Sequence, residues 1–154
     1  MNITLGIVIV IATFCIMEAV AWATHKYVMH GFLWMLHKDH HVPHEHTFEK
    51  NDAFFLIFAV PSWLCIMFGM MAGNDFRLYI GMGIAVYGLA YFMVHEVFIH
   101  QRLPFFKRSD NWYLRAIRKA HKVHHKNQGK FECESFGMLV VSLRYFKEQL
   151  RVSG

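Results

Sequence analysis

A chain of 154 residues holds one domain at most, and this one is both apolar, at 55% hydrophobic residues, and basic, with 16 Lys and Arg against 11 Asp and Glu. Its cysteines stand apart at 15, 65 and 133 without a C-x-x-C pair, which argues against a disulfide framework or a thiolate metal site. The net charge of +5 does not call for nucleic acid, because the basic residues lie beside apolar blocks, where anionic lipid headgroups would face them.

Residues 3–24, "ITLGIVIVIATFCIMEAVAWAT", carry a single charge, Glu18. About twenty residues at roughly 1.5 Å each cross a hydrocarbon core of about 30 Å. With no basic start and no small-residue cleavage site, the block is predicted to be a retained span rather than a signal peptide. "THKYVMHG" follows at once with His25 and His30, then "HKDHH" with His37, His40 and His41. A loop broken at Pro43 leads to "EKND", where Asn51 or Asp52 is placed to cap a second span at 53–72. Pro61 is expected to kink that span, and Gly69-x-x-x-Gly73 to let helices approach closely. A third span is predicted over 76–94, thinned by Gly81, Gly83 and Gly88, and it runs into "HEVFIH" with His95 and His100.

A helix over 111–126, capped near Ser109 or Asp110, sets Leu114, Ile117, His121, His124 and His125 on one side. Arg115, Arg118, Lys119, Lys122 and Lys126 take much of the rest, an interfacial amphipathic pattern. Residues 135–146 are apolar but short and contain Arg144, so they are expected to lie at the interface. The fold class is therefore an all-α integral membrane protein, one domain over 1–154, with three to four transmembrane helices and a histidine-rich helical cap. Only Arg77 of the basic residues lies near the link between the second and third spans, at the very start of the third. The positive-inside rule then puts the N-terminus outside and the histidine motifs on the cytoplasmic side.

The pattern of span, HxxxxH and HxxHH occurs twice, with an extra span before the second copy. On an α-helix, positions i, i+3 and i+4 fall within an arc of about 100°, so each HxxHH should present three imidazoles to one side. The i, i+5 pair diverges by roughly 140° on a straight helix, so its helix must either reach two centres or unwind. Ten imidazoles exceed the four ligands of a tetrahedral zinc and point to two metals held between helices. Neutral ligands leave the charge of two divalent ions uncompensated, which favours anionic oxygen species and oxygen chemistry at iron.

These motifs resemble the membrane-bound fatty acid hydroxylase superfamily of non-haem di-iron enzymes. The flanking "HKYVMHG", "FEKND" and "YFMVHEVFIHQR", with "AHKVHH" and "SFGML", resemble its bacterial β-carotene 3-hydroxylase branch over most of the chain. The resemblance implies O2-dependent insertion of oxygen at C3 of a β-ionone ring in a bacterial inner membrane, giving β-cryptoxanthin and zeaxanthin. It implies two iron ions, replaceable by zinc on purification, held by His25, His30, His37, His40, His41, His95, His100, His121, His124 and His125. His44 and His46, where the family would have a basic and a small residue, are left out of that set. Carotenoid from the bilayer, O2 and membrane lipids are the expected partners. With no flavin, nicotinamide or haem motif visible, electrons are expected from a ferredoxin-type donor docking near Arg115, Arg118, Lys119 and Lys122, although anionic lipid suits the same surface.

Glu18, charged within a span, is a candidate to hold an imidazole from another helix. Tyr87 and Tyr91 share a helical stripe with His95 and are weaker candidates to support a ligand, as are Asp39, Glu45 and Glu96 beside motif histidines. Competing readings are a carotenoid ketolase, a fatty acid or sterol hydroxylase or desaturase, and, outside enzymes, a membrane metal-binding or transport protein.

Overall fold

The computed structural model describes residues 1–42, 48–103, 105, 108–127, 129–131 and 133–153. Six α-helices account for most of them, and no strand occurs among the described residues. Helix α1 (Ile3–Ala23) is capped by the Asn2 side chain, which accepts from Thr4 N at 2.9 Å. It runs without interruption into a π-helical stretch, Thr24–Phe32, which breaks at Gly31. Helix α2 (Trp34–His41) follows, then a 3-10 turn, Lys50–Asp52, and helix α3 (Ala53–Met71). Helix α4 (Phe76–Tyr91) also passes into a π-helical stretch, Phe92–Ile99. Helices α5 (Trp112–Lys126) and α6 (Leu143–Ser153) complete the chain.

Three helical stretches, Ile3–Phe32, Lys50–Met71 and Phe76–Ile99, are long and apolar enough to cross a membrane, the lower end of the expected three to four. Their outward side chains, such as Ile7, Ile11, Phe55, Leu56, Met70 and Leu89, are exposed. A helix apolar on every side with exposed side chains is suited to lipid rather than to water. Helix α4 lies between α1 and α3. Glycine sets that approach: a Cβ at Gly83 would stand 2.6 Å from Thr13 Cβ, and one at Gly81 2.7 Å from the Ser62 carbonyl oxygen. Ser62 Oγ also donates to the Gly81 carbonyl at 2.8 Å.

The expected Gly69 and Gly73 pair divides its work. Gly69 meets the Leu78 backbone, whereas Gly73 has φ 79° and turns the chain towards α4. Helix α3 contains Pro61 within one continuous helical run. Neither Asn51 nor Asp52 caps it through a side chain; Asp52 instead accepts from Glu49 N at 3.0 Å and closes the preceding turn.

Buried side chains gather where the spans end, beneath α5 and α6. Val97, Phe98, Ile99, Ala116, Ile117, Ala120, Met138, Val141 and Tyr145 form this small core. Helix α5 is capped one or two residues later than expected, by Asn111, which accepts from Tyr113 N and Leu114 N. Residues 136–142 are non-helical, follow Ser135 at φ 62°, and lead to α6. Helix α6 packs on α5 through Phe146, stacked on Tyr113 at 5.6 Å.

This packing occupies much of the basic face proposed for an electron donor. Arg115 donates to Gln149, Lys119 pairs with Glu148 at 2.6 Å, and Arg118 lies over the Phe98 ring and donates to its carbonyl.

Candidate metal centre

Ten histidines converge where α1, α2, the stretch after α4, and α5 meet. Five of them, His25, His30, His37, His41 and His124, each offer a ring nitrogen within 4.8 Å of the others. His40, His95, His100 and His121 form a second such group. His125 joins that group, with ring centroids 4.7 Å from His40, 4.9 Å from His100 and 4.4 Å from His121. Among the described residues its buried Nε2 has no hydrogen-bond partner. His125 also stacks on His41 at 4.5 Å, so the two groups adjoin.

The HxxxxH problem is solved by unwinding. Both pairs lie in or at the end of π-helical backbone, where hydrogen bonds link residues five apart; His100 N donates to the His95 carbonyl at 2.9 Å. That register brings His25 with His30, and His95 with His100, onto one side, so each pair serves a single group. Each HxxHH motif brings its three imidazoles together as expected, but divides them between the two groups. The outer histidines stay together, His37 with His41 and, by ring contact at 4.4 Å, His121 with His125, but the middle ones cross over. His40 leaves α2 for the second group, and His124 leaves α5 for the first. Each group thus takes a pair, two histidines of the adjoining triplet and one from the other copy, a pseudo-twofold exchange that matches the sequence repeat.

The outer nitrogens are held. Nδ1 of His25, His30, His41 and His124 lies 3.0, 3.1, 3.2 and 2.8 Å from the carbonyl oxygens of Phe136, Lys130, Asn127 and Glu134. Nδ1 of His37 meets Asn51 Oδ1 at 2.7 Å, while His40 and His95 meet Glu49 and Glu96 at 2.6 and 2.5 Å. An oxygen acceptor fixes the proton on Nδ1 and leaves Nε2 as a lone pair facing inward. Those lone pairs then face one another: His37 Nε2 is 3.1 Å from both His25 and His41 Nε2, and His40 Nε2 is 3.2 Å from His95 Nε2. Two imidazole nitrogens about 2.0–2.1 Å from one ion, at right-angle to tetrahedral geometry, stand roughly 2.9–3.4 Å apart. The donor set therefore fits a cation in each group.

Electrostatics agree with neutral ligands. Burial, reinforced by neighbouring imidazoles, pushes His125 down to about 2 and His41 to about 4. Burial is also the main cause at His37 and His124, both lowered to about 3, and at His100, lowered to about 4. His40 and His121 are shifted well down by burial and by surrounding imidazoles. A metal ligand must be deprotonated, and these are across the neutral range.

Aromatic rings close the first group. Phe136 packs edge-on against His25, His30 and His124, and Trp34 against His37. Tyr91 lies 4.8 Å from the His95 ring, whereas Tyr87 donates to Glu18 at 2.8 Å. Among the described residues Glu18 meets no imidazole: its Oε1 accepts from the amides of Met138, Leu139 and Val140, each at 2.9 Å. The reason is reach, since those amides approach α1 directly while the histidines lie beyond its end. It still serves the site indirectly by anchoring the segment that carries Phe136.

Glu96 orients His95, while Asp39 accepts from Lys50 N at 2.6 Å. Glu45, His44 and His46 lie outside the described residues. Sequence reasoning missed Glu49, Asn51 and Arg102 as supports of the histidines. Their stretches, "FEKND" and "HQR", stood out only as parts of a resemblance, because a polar run before an apolar block reads first as a cap.

The fatty acid hydroxylase family model matches residues 10–143. A beta-carotene hydroxylase from a Paracoccus species is 38% identical over 148 residues, covering 95% of this chain and 91% of the relative. The beta-carotene hydroxylase of Pantoea ananas is 43% identical over 131 residues, covering 85% and 74%. The chloroplastic beta-carotene 3-hydroxylase 1 of Arabidopsis thaliana is 36% identical over 124 residues, 77% of this chain and 38% of that longer protein. No solved structure gives a significant match. Three apolar helices ending in two histidine groups, matched over most of their length, make this chain a member of the fatty acid hydroxylase family, similar throughout to its beta-carotene hydroxylases.

Proposed function

We propose that this chain is a β-carotene 3-hydroxylase, a non-haem di-iron membrane monooxygenase that hydroxylates β-ionone rings to give β-cryptoxanthin and zeaxanthin. The observation that carries the reading is the near full-length similarity to bacterial beta-carotene hydroxylases, joined to two five-histidine groups at the ends of the spans. Two irons, when bound, would supply the redox chemistry that splits O2 and places one oxygen atom in an unactivated C–H bond.

The chain's own residues do the rest. His25, His30, His37, His41 and His124 would hold one metal, and His40, His95, His100, His121 and His125 the other. Main-chain carbonyls of Asn127, Lys130, Glu134 and Phe136 aim the first set, and Glu49 and Glu96 aim two members of the second. Phe136, Trp34 and Tyr91 keep water from the imidazoles and offer an apolar wall to a substrate without charge or hydrogen-bonding groups. Glu18 and Tyr87 tie the 138–140 backbone to α1 and so hold that wall in place.

On this reading the histidine groups face the cytoplasm from a bacterial inner membrane, with the N-terminus outside; the basic residues flanking the spans support it by the positive-inside rule. A ferredoxin-type donor would reach them there. Since α6 covers part of α5, exposed Lys122 and the neighbouring loops are its landing surface.

Pigment chromatography of a β-carotene-producing bacterium tests the assignment. Expression of the chain should yield β-cryptoxanthin and zeaxanthin, and His40→Ala should yield neither. Keto-carotenoids would move the reading to a ketolase. Unchanged β-carotene, with protein in the membrane and a ferredoxin system supplied, would move it to lipid or sterol substrates, or to metal binding without catalysis.

A further inference from the structure

The two histidine groups are supported by different chemistry. Every outer-nitrogen partner described for the first group is neutral: four main-chain carbonyls and the Asn51 amide oxygen. In the second group, the partners of His40 and His95 are carboxylates, Glu49 and Glu96. Both carboxylates converge on one cation. Arg102 Nη2 lies 2.8 Å from Glu49 Oε1, and its Nε lies 2.9 Å from Glu96 Oε2. Its Nη1 donates to Asp52 Oδ1 at 2.9 Å.

The backbone builds this brace. After the π-helical stretch, Gln101 adopts φ 56°, and Arg102 N donates back to the Glu96 carbonyl at 3.0 Å. That turn folds Arg102 over Glu96. Across from it, Asp52 accepts from Glu49 N, so the 49–52 turn and the guanidinium form a closed loop of contacts. Glu49 and Glu96 are nearly buried, with side chains 10% and 12% exposed, and Arg102 at 23% lies above them. Each glutamate spends one oxygen on a histidine and the other on Arg102. The guanidinium is thus in ion-pair reach of both carboxylates at once, through Nη2 and Nε, a span that a single lysine ammonium does not reproduce.

We infer that Arg102 is a positioning residue of the second metal centre alone: it sets Glu49 and Glu96, which fix the direction of His40 and His95 Nε2. Retention of metal at that centre depends on it, and retention at the first does not. The inference rests on the two-metal reading above.

Cobalt(II) titration of the purified full chain in detergent tests it, read as metal per chain and as quenching of Trp34. Trp34 packs against His30, His37 and His41, and so reports the first centre. The wild type should bind two equivalents. Arg102→Gln should lose one, its second-centre affinity falling about 10–100-fold, while Trp34 quenching keeps its wild-type midpoint. Arg102→Lys should recover part of the loss. Glu49→Gln, which keeps an acceptor but removes charge, should weaken the same centre and serves if Arg102→Gln fails to accumulate. Two tight equivalents in both Arg102→Gln and Glu49→Gln would overturn the inference and leave the two-metal reading standing, as would equal weakening of both centres. Fewer than two equivalents in the wild type would overturn both.

Discussion

Acidification of the metal-free protein gives a steep prediction because so many buried histidines share one site. His37, His41, His100, His124 and His125 are held to about 3, 4, 4, 3 and 2 when folded. In the unfolded chain they titrate near 6.5. A depressed histidine pKa means that the unfolded state binds protons first, so stability is full above about 6.5 and falls as pH drops towards the folded values. At pH 5.5 each such histidine costs about 1.4 kcal/mol, and five together about 7 kcal/mol. Whole domains are stable by only about 5–15 kcal/mol. The histidine cap should therefore come apart between about pH 5 and 6, well above any folded pKa, with several protons taken up together. Trp34 fluorescence of metal-free protein in detergent would follow it, with Trp34→Phe as the blank, while far-ultraviolet dichroism checks that the spans persist. Bound metal should shift the midpoint downward, since it stabilises only the folded site. A one-proton transition centred at 6.5 would refute the reasoning, because it would mean that the imidazoles titrate in water.

The crossing of the middle histidines predicts that neighbours on one helix act on different metals. His41→Ala should abolish Trp34 quenching by cobalt(II), while His40→Ala, one residue away, should spare it and remove the other equivalent. Glu18→Ala leaves three amides and the Tyr87 hydroxyl without their acceptor, at a cost of about 1–3 kcal/mol. Faster tryptic cutting after Lys130, with the spans intact, would register it. Gly83→Ala sets a methyl 2.6 Å from Thr13 Cβ and should destabilise the α1–α4 contact by about 1–3 kcal/mol, seen as a lower thermal midpoint in detergent.

Three apolar runs, the position of the ten histidines along the chain and the twofold repeat were legible in the residues because they depend on local facts. An apolar run of fixed length suits a bilayer, and a histidine spacing repeats or does not. The dilemma of the i, i+5 pairs was legible too, but not its resolution into π-helical backbone, which needs the other helices to reward the unwinding. Nor could spacing show that His40 and His124 exchange partners, since an arc of about 100° on a helix does not say where two metals would stand across it. Glu18 was singled out by its charge within an apolar span, yet its partners are amides 120 residues away. Glu49, Asn51 and Arg102 drew no role at the histidines, because a polar side chain becomes a histidine's support only when folding brings the two within hydrogen-bond reach. What the sequence determined by itself is the inventory and its place at the membrane's edge. Tertiary structure alone decided the division of ten imidazoles into two groups and the charge placed behind each, because hydrogen bonds and coordination act over a few ångströms that only packing can close.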